Sequence, residues 1–258
     1  MKLSVVIPVY NEENTILELV ELVQTALKEL PSEITETELV IVEDGSSDNT
    51  KKIIEENLSS IKDITIFCQP FNQGKGAAIT KGFSLTTGDI VLVQDADMEY
   101  DPFEYPTLLK PLINKRADVV YGSRFKGETS RVLYFWHYVG NQFLTLLSNM
   151  FTNLNLTDME TCYKVFRGSI IRSMILESKR FGIEPEMTAK ISKIRGIRIY
   201  EVPISYYGRT YDEGKKIGWK DGFSAIWSIF KFNILRTYSE SFNDLNISES
   251  QLSQNPHP

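Results

Sequence analysis

Short apolar runs alternating with helical patterns constrain this chain more than any other feature. Residues 3–10 form a near-continuous apolar run, the pattern of a strand covered on both faces. Across residues 14–30, Ile16, Leu19, Val20, Val23, Leu27 and Leu30 recur at helical spacing until Pro31 ends them. Residues 39–42, 64–68, 89–94 and 118–121 are further strand candidates. Between them, Ile53, Ile54 and Leu58, the Ala-rich stretch 74–85, and residues 103–115 read as helices. This alternation predicts an α/β fold with a mostly parallel central sheet and helices on both faces. Ligands then bind beyond the C-terminal strand ends, which places residues 10–12, 43–44, 95–97 and 122–124 along one rim.

The second half reads differently. From Val132 to Thr157 the only titratable side chain of basic type is His137, and aromatic and aliphatic residues alternate with Asn141, Gln142, Ser148, Asn149 and Asn153. That run is too polar to span a bilayer, which takes about 20 predominantly apolar residues. Residues 222–236 place Phe223, Ile226, Trp227, Phe230 and Ile234 on one face. Taken singly, each helix reads as a core helix. Together, beside a basic region, they support a helix pair lying in a membrane interface. The region is basic because residues 164–236 hold 15 Lys and Arg against 7 Asp and Glu, whereas residues 1–163 hold 13 against 24. The imbalance points to an anionic partner, either substrate phosphate or an anionic membrane surface. With a net charge of −6, no nucleic-acid partner is expected. Cys68 and Cys162 have neither metal-ligand nor disulfide spacing, which predicts a reducing, cytoplasmic setting.

Asp95-Ala96-Asp97 carries the chemistry. Two carboxylates one residue apart, just past a strand end, can share a hard cation such as Mg²⁺ or Mn²⁺. Such an ion also takes phosphate oxygens and neutralises a diphosphate leaving group. Glu99 is a possible third ligand. Alone, Asp-x-Asp is a common feature of exposed turns. Asp44 by itself reads as a turn or cap residue beside Gly45 and Ser46.

Five segments in order change that weighting: Val6-Ile7-Pro8-Val9-Tyr10-Asn11-Glu12, Val42-Glu43-Asp44-Gly45-Ser46-Ser47-Asp48, Asn72-Gln73-Gly74-Lys75-Gly76, Asp95-Ala96-Asp97 and Tyr121-Gly122-Ser123-Arg124. Over about residues 3–220 the chain resembles the family 2 glycosyltransferases, whose nucleotide-sugar-binding, Rossmann-like fold is called GT-A. Asp158 to Lys164, Glu184-Pro185-Glu186-Met187 and Tyr206 to Lys215 make it most similar to the dolichyl-phosphate mannosyltransferases and bacterial polyprenyl-phosphate glycosyltransferases. The resemblance implies that Pro8, Tyr10, Glu12, Val42 and Asp44 meet the nucleoside. It implies that Asp95, Asp97 and Glu99 hold the metal beside Ala96, and that Arg124, Arg209 and Lys215 meet phosphate oxygens. Asp95, Asp97, Arg124 and Arg209 would be the catalytic set.

The implied reaction is inverting, metal-dependent hexosyl transfer from a nucleotide-diphosphate sugar, GDP-mannose by preference, to a polyprenyl or dolichyl phosphate. A UDP-sugar donor, a glycan-hydroxyl acceptor with Asp158 or Glu186 as base, and a non-catalytic nucleotide-sugar-binding protein are the alternatives. The chain would be one GT-A domain over residues 1–236, with a donor half of about 1–125, an acceptor half of about 126–236 and a disordered tail over 237–258. It would lie peripherally on the cytoplasmic face of a membrane, by its own surface or through a membrane-anchored partner subunit. Two departures stand out. Relatives often carry Asp-Asp-Gly-Ser where this chain has Glu43-Asp44-Gly45-Ser46, and Thr-Ser-Gly-Tyr-Arg where it has Glu160-Thr161-Cys162-Tyr163-Lys164.

Overall fold

The computed structural model describes residues 1–127, 131–132, 134–210 and 219–243. The strand–helix alternation expected of the first half is present as β1 (Lys2–Val9), α1 (Ile16–Ala26), β2 (Glu36–Glu43), α2 (Thr50–Asn57), β3 (Ile64–Cys68), α3 (Lys75–Leu85) and β4 (Ile90–Val93). After α4 (Tyr105–Ile113) and β5 (Val119–Ser123), the chain runs through α5 (Phe135–Thr152), β6 (Lys164–Arg167), α6 (Gly168–Ser173), α7 (Ile183–Ile191), β7 (Ile199–Pro203) and α8 (Trp219–Phe230). A π-helical turn, Lys231–Leu235, extends α8.

The strands form one sheet in the order β3-β2-β1-β4-β6-β5-β7. All pairs are parallel except the two made by β6, which runs antiparallel between β4 and β5. The long apolar run explains β1: every residue from Leu3 to Val9 is buried. Full burial of one such side chain stabilises by roughly 1.5–3 kcal/mol. The helical spacing of the next segment is also realised, because α1 buries Ile16, Leu19, Val20, Val23 and Ala26. Helix α3 covers β1 and β2, while α4 covers β5, β6 and β7.

Two expectations need correction. The first is the core placement of the helices in the second half. Helix α5 buries only Thr145 and Ser148, while Trp136 is 77% exposed and Met150 73% exposed. Phe223 and Trp227 of α8 are likewise exposed. The two helices lie side by side, with Phe151 and Phe230 in edge contact at 5.0 Å. Polar groups face inward because they have partners there: Asn149 brackets Leu156 through both its backbone groups, and the Thr145 hydroxyl accepts from Met159 N–H. The second correction concerns the tail. Ser241 and Phe242 are buried, and the backbone of residues 241–243 bonds to Ser173 and Ile175. Order therefore continues at least to residue 243, and residues 244–258 lie outside the described set.

Gly45 sets how β2 delivers the next residues to the rim. Its φ is +66°, and a Cβ there would lie 2.3 Å from the Phe71 carbonyl carbon. Gly196 has a similar φ of +74° with nothing within 4 Å. Gly196→Ala is expected to cost about 1 kcal/mol for the left-handed backbone alone. Gly45→Ala is expected to cost at least about 2 kcal/mol, because backbone must also move. Urea denaturation of both variants checks this, and equal losses would contradict it.

Candidate active site

The C-terminal ends of β1, β2, β4 and β5 open onto one cleft, with a cavity of 1290 Å³. Pro8, Tyr10 and Glu12 line it from β1, Asp44 from β2, and Asp95, Ala96, Asp97 and Glu99 from the segment after β4. Arg124 and Arg209 complete the predicted residues that line it. Val42 does not. It is fully buried, and its Cγ2 would lie 3.5 Å from a Cβ on Gly82, so it packs beneath α3. Lys215 lies outside the described residues.

The Asp44 carboxylate is a structural hub. It accepts hydrogen bonds from Gln69 Nε2 and Gln73 N on one oxygen, and from Asn72 Nδ2 and Gly74 N on the other. Each is 2.8–3.0 Å long. Its rim position is realised, but its carboxylate braces residues 69–74 rather than a local turn, and its acceptor capacity is filled from within. The bond to Gly74 N anchors the start of α3, where Gly74 has φ 101°. A Cβ on Gly74 would lie 2.3 Å from Lys179 O, so only glycine permits that approach.

Lys75 follows and pairs with Asp95 at 2.8 Å. Burial alone would lower the lysine's pKa, but Asp95 outweighs it and raises it well above the ordinary value. Asp97 has no such cation in contact. Burial, then repulsion from Asp95 and Glu99, pushes its carboxyl up to about 8. Its Oδ1 accepts from Glu99 N at 3.2 Å. Hard oxygen donors carrying this unrelieved charge fit a hard divalent cation. Glu99 is engaged differently from the expected third ligand. Its carboxylate accepts from Tyr206 OH at 2.8 Å and from Arg209 N at 2.6 Å. Among the described residues, no three His, Cys, Asp or Glu side chains group as a metal site. The protein's own contribution would be two carboxylates, leaving the remaining positions to phosphate and water.

The two arginines are held by carboxylates. Arg124 makes a bidentate pair with Asp158, at 2.6 and 2.7 Å, and lies 5.0 Å over the Tyr206 ring. Arg209 reaches Glu12 at 3.1 and 3.3 Å. Thr15 Oγ1 ties Glu12 to Ala96 O, so β1 and the Asp95–Asp97 turn share one strut. Neither base weighed for a hydroxyl acceptor is available. Asp158 is buried in its Arg124 pair. Glu186 is buried, accepts from Glu177 N and Ser178 N, and pairs with Lys190.

Sequence reasoning assigned no role to Lys75, Glu160, Arg180 or Glu184, all of which line the cleft. The signal was available for Lys75, Glu160 and Glu184, because they sit inside the segments that carry the family resemblance. Burial, reinforced by Glu184, raises Glu160 to about 8. The Arg180 side chain makes no hydrogen bond or ion pair, unlike the other cleft-lining Lys and Arg side chains among the described residues. Away from Asp95 and Asp97, the cleft is lined by Arg131, Val132, Tyr134, Phe135, Trp136 and Tyr138, at and before the start of α5.

Known proteins match this arrangement. The family model described as "Glycosyl transferase family 2" matches residues 4–176. The undecaprenyl-phosphate mannosyltransferase of Micrococcus luteus is 29% identical over 84% of this chain and 88% of its own length. The undecaprenyl-phosphate 4-deoxy-4-formamido-L-arabinose transferase of Proteus mirabilis is 30% identical over 83% of this chain and 62% of its own length. The low-salt glycan biosynthesis hexosyltransferase of Haloferax volcanii is 32% identical over 80% of this chain but 48% of its own length. In fold, glucosyl-3-phosphoglycerate synthase of Mycobacterium tuberculosis, solved with Mn²⁺, UDP and glucosyl-3-phosphoglycerate, superposes with a TM-score of 0.66. That match is 19% identical and covers 90% of this chain and 80% of the synthase. With the family model matched over residues 4–176 and the predicted rim residues gathered in one cleft on a GT-A sheet, the chain belongs to glycosyl transferase family 2 and is a glycosyltransferase.

Proposed function

We propose that this enzyme transfers a hexosyl group, with inversion, from a nucleoside-diphosphate sugar to a polyprenyl phosphate at a membrane surface. GDP-mannose is the favoured donor. One observation carries the reading: a single cleft is lined by Asp95 and Asp97 and by the aromatic residues at and before the start of α5. A donor at one end and a lipid-borne acceptor at the other would meet inside it. The two polyprenyl-phosphate transferases among the relatives support the acceptor class.

Pro8, Tyr10 and Glu12 would flank the nucleoside, on a β1 end braced by Asp44. Asp95 and Asp97 would hold Mg²⁺ or Mn²⁺, which when bound neutralises charge on the departing diphosphate. Lys75 keeps Asp95 oriented. Arg124, set by Asp158, and Arg209, set by Glu12, bring guanidinium groups to the same cleft, where phosphate oxygens would compete for them. An acceptor phosphate is already anionic and needs no strong base. This agrees with Asp158 and Glu186 being committed elsewhere. Holding donor and acceptor in line would supply much of the acceleration.

No helix among the described residues is long and apolar enough to cross a membrane. Trp136, Phe143, Met150, Phe223 and Trp227 would instead enter the interface from α5 and α8.

Asp97→Ala is expected to lower turnover by at least about a hundredfold, assayed with nucleotide sugar, metal and polyprenyl phosphate. Undiminished turnover would sink the metal role. Asp97 must lose its proton to ligate. Metal affinity should therefore rise about tenfold per pH unit below pH 8 and level above it. Electron paramagnetic resonance of free Mn²⁺ across pH 6–9 reads this, and a flat profile would contradict it. The wild-type chain should co-float with anionic liposomes, and Trp136→Glu combined with Trp227→Glu should abolish flotation. Failure of the wild type to float would remove the membrane reading.

A further inference from the structure

Buried polar groups in folded proteins nearly always have hydrogen-bond partners, so a cluster without them points to a missing ligand. Such a cluster lies on the floor of the cleft. Glu160 Oε1, Thr161 Oγ1 and Glu184 Oε1 are buried and receive no hydrogen bond from the protein. Glu184 is 6% exposed, and Thr161 is fully buried. Both glutamates line the cavity. They belong to one connected unit, because the fully buried Lys164 ammonium bonds the Thr161 carbonyl and the other oxygen of Glu184. Lys164 therefore satisfies one oxygen of the Glu184 carboxylate and leaves the other without a protein partner.

Position along the cleft identifies the occupant. Cys162, two residues from Glu160, lines the cavity and feels the charge of Asp95. Lys75, which pairs with Asp95, also feels the charge of Glu184. The glutamates thus border the Asp95 end of the site, where a diphosphate would end and its sugar begin. Phe181 and Ile183 supply apolar wall nearby. The unfilled atoms are two carboxyl oxygens and one hydroxyl, and the lysine behind them is already used. A group with hydroxyl donors is complementary to such a floor. A group bringing its own carboxylate is not, because it would meet two acidic side chains in a poorly solvated place.

We propose that Glu160 and Glu184 are the sugar-reading residues of the donor site, selecting a neutral hexosyl group whose hydroxyls donate to them and rejecting a uronosyl group. The assignment rests on the donor-site reading above. Glu160 belongs to a segment, Glu160 to Lys164, in which this chain keeps only Tyr163 of the residues its relatives often carry.

Glu160 makes no hydrogen bond or ion pair with the protein, so its replacement breaks no protein contact of those kinds. The test is calorimetric titration of the whole chain with Mn²⁺ present. The ligands are UDP, GDP, UDP-glucose, GDP-mannose and UDP-glucuronate. Glu160→Thr should leave nucleoside-diphosphate binding within about twofold and weaken the better nucleotide hexose by about tenfold or more. Titrated at pH 9, above the value of about 8 for the Glu160 carboxyl, Glu160→Gln keeps an acceptor and removes the charge; it should retain hexose binding and narrow the discrimination against glucuronate by about tenfold. Glu184→Gln, checked for folding by circular dichroism, should weaken the hexose in the same way. If it does not fold, the Glu160 pair decides alone. Equal effects on diphosphate and nucleotide hexose, or none on either, would overturn the sugar assignment while the donor site stands. Absence of binding by both UDP and GDP to the wild type would overturn the donor site itself.

Discussion

Four hydrogen bonds converge on the Asp44 carboxylate, and the donor end of the molecule depends on them. They draw the 69–74 segment onto the end of β2. Gly74 then starts α3 where the 179–180 backbone can touch it, and Ala77 N–H donates to Lys179 O. Lys75 emerges from that start facing Asp95. Three sheet-end segments are thereby referenced to one buried anion. Burial tends to raise the pKa of Asp44, and the amides of Gln73 and Gly74 oppose that rise. Such a site is costly when half-satisfied and rigid when complete.

The first half of this architecture was legible because strand and helix periods are clean there. Residues 3–9 carry no charge to interrupt the run, and α1 keeps its apolar stripe on one face. Strand β6 was not legible. It has four residues, begins in Lys164 and ends in Arg167, which reads as surface. Lys164 is fully buried only because the Thr161 carbonyl and Glu184, 20 positions away, receive its ammonium. Lys190 is hidden in the same manner by Glu186 and the Ile175 carbonyl.

The candidate site divides along a similar line. Its membership was mostly readable, since ten of the predicted residues line one cleft. What each side chain bonds to was not. Glu99 looked like a ligand from its place beside Asp97, yet it holds the 206–209 segment by three bonds. Val42 sits at the correct strand end but on the covered face, a distinction that alternation in a strand buried on both sides does not reveal. Helix α5 shows the limit most sharply. Its composition is that of a core helix, and only the tertiary partners of Thr145 and Asn149 turn its apolar face outward.

The Arg209–Glu12 pair has a thermodynamic consequence. The guanidinium is satisfied by a carboxylate in the cleft wall, and the backbone beside it is pinned by Glu99. An anion arriving in the cleft meets an occupied cation and must trade places with Glu12. The energy of that contact then appears as a difference between two ion pairs, which is smaller than either. Counter-ion exchange of this kind lets the site hold its charges in register before a ligand arrives.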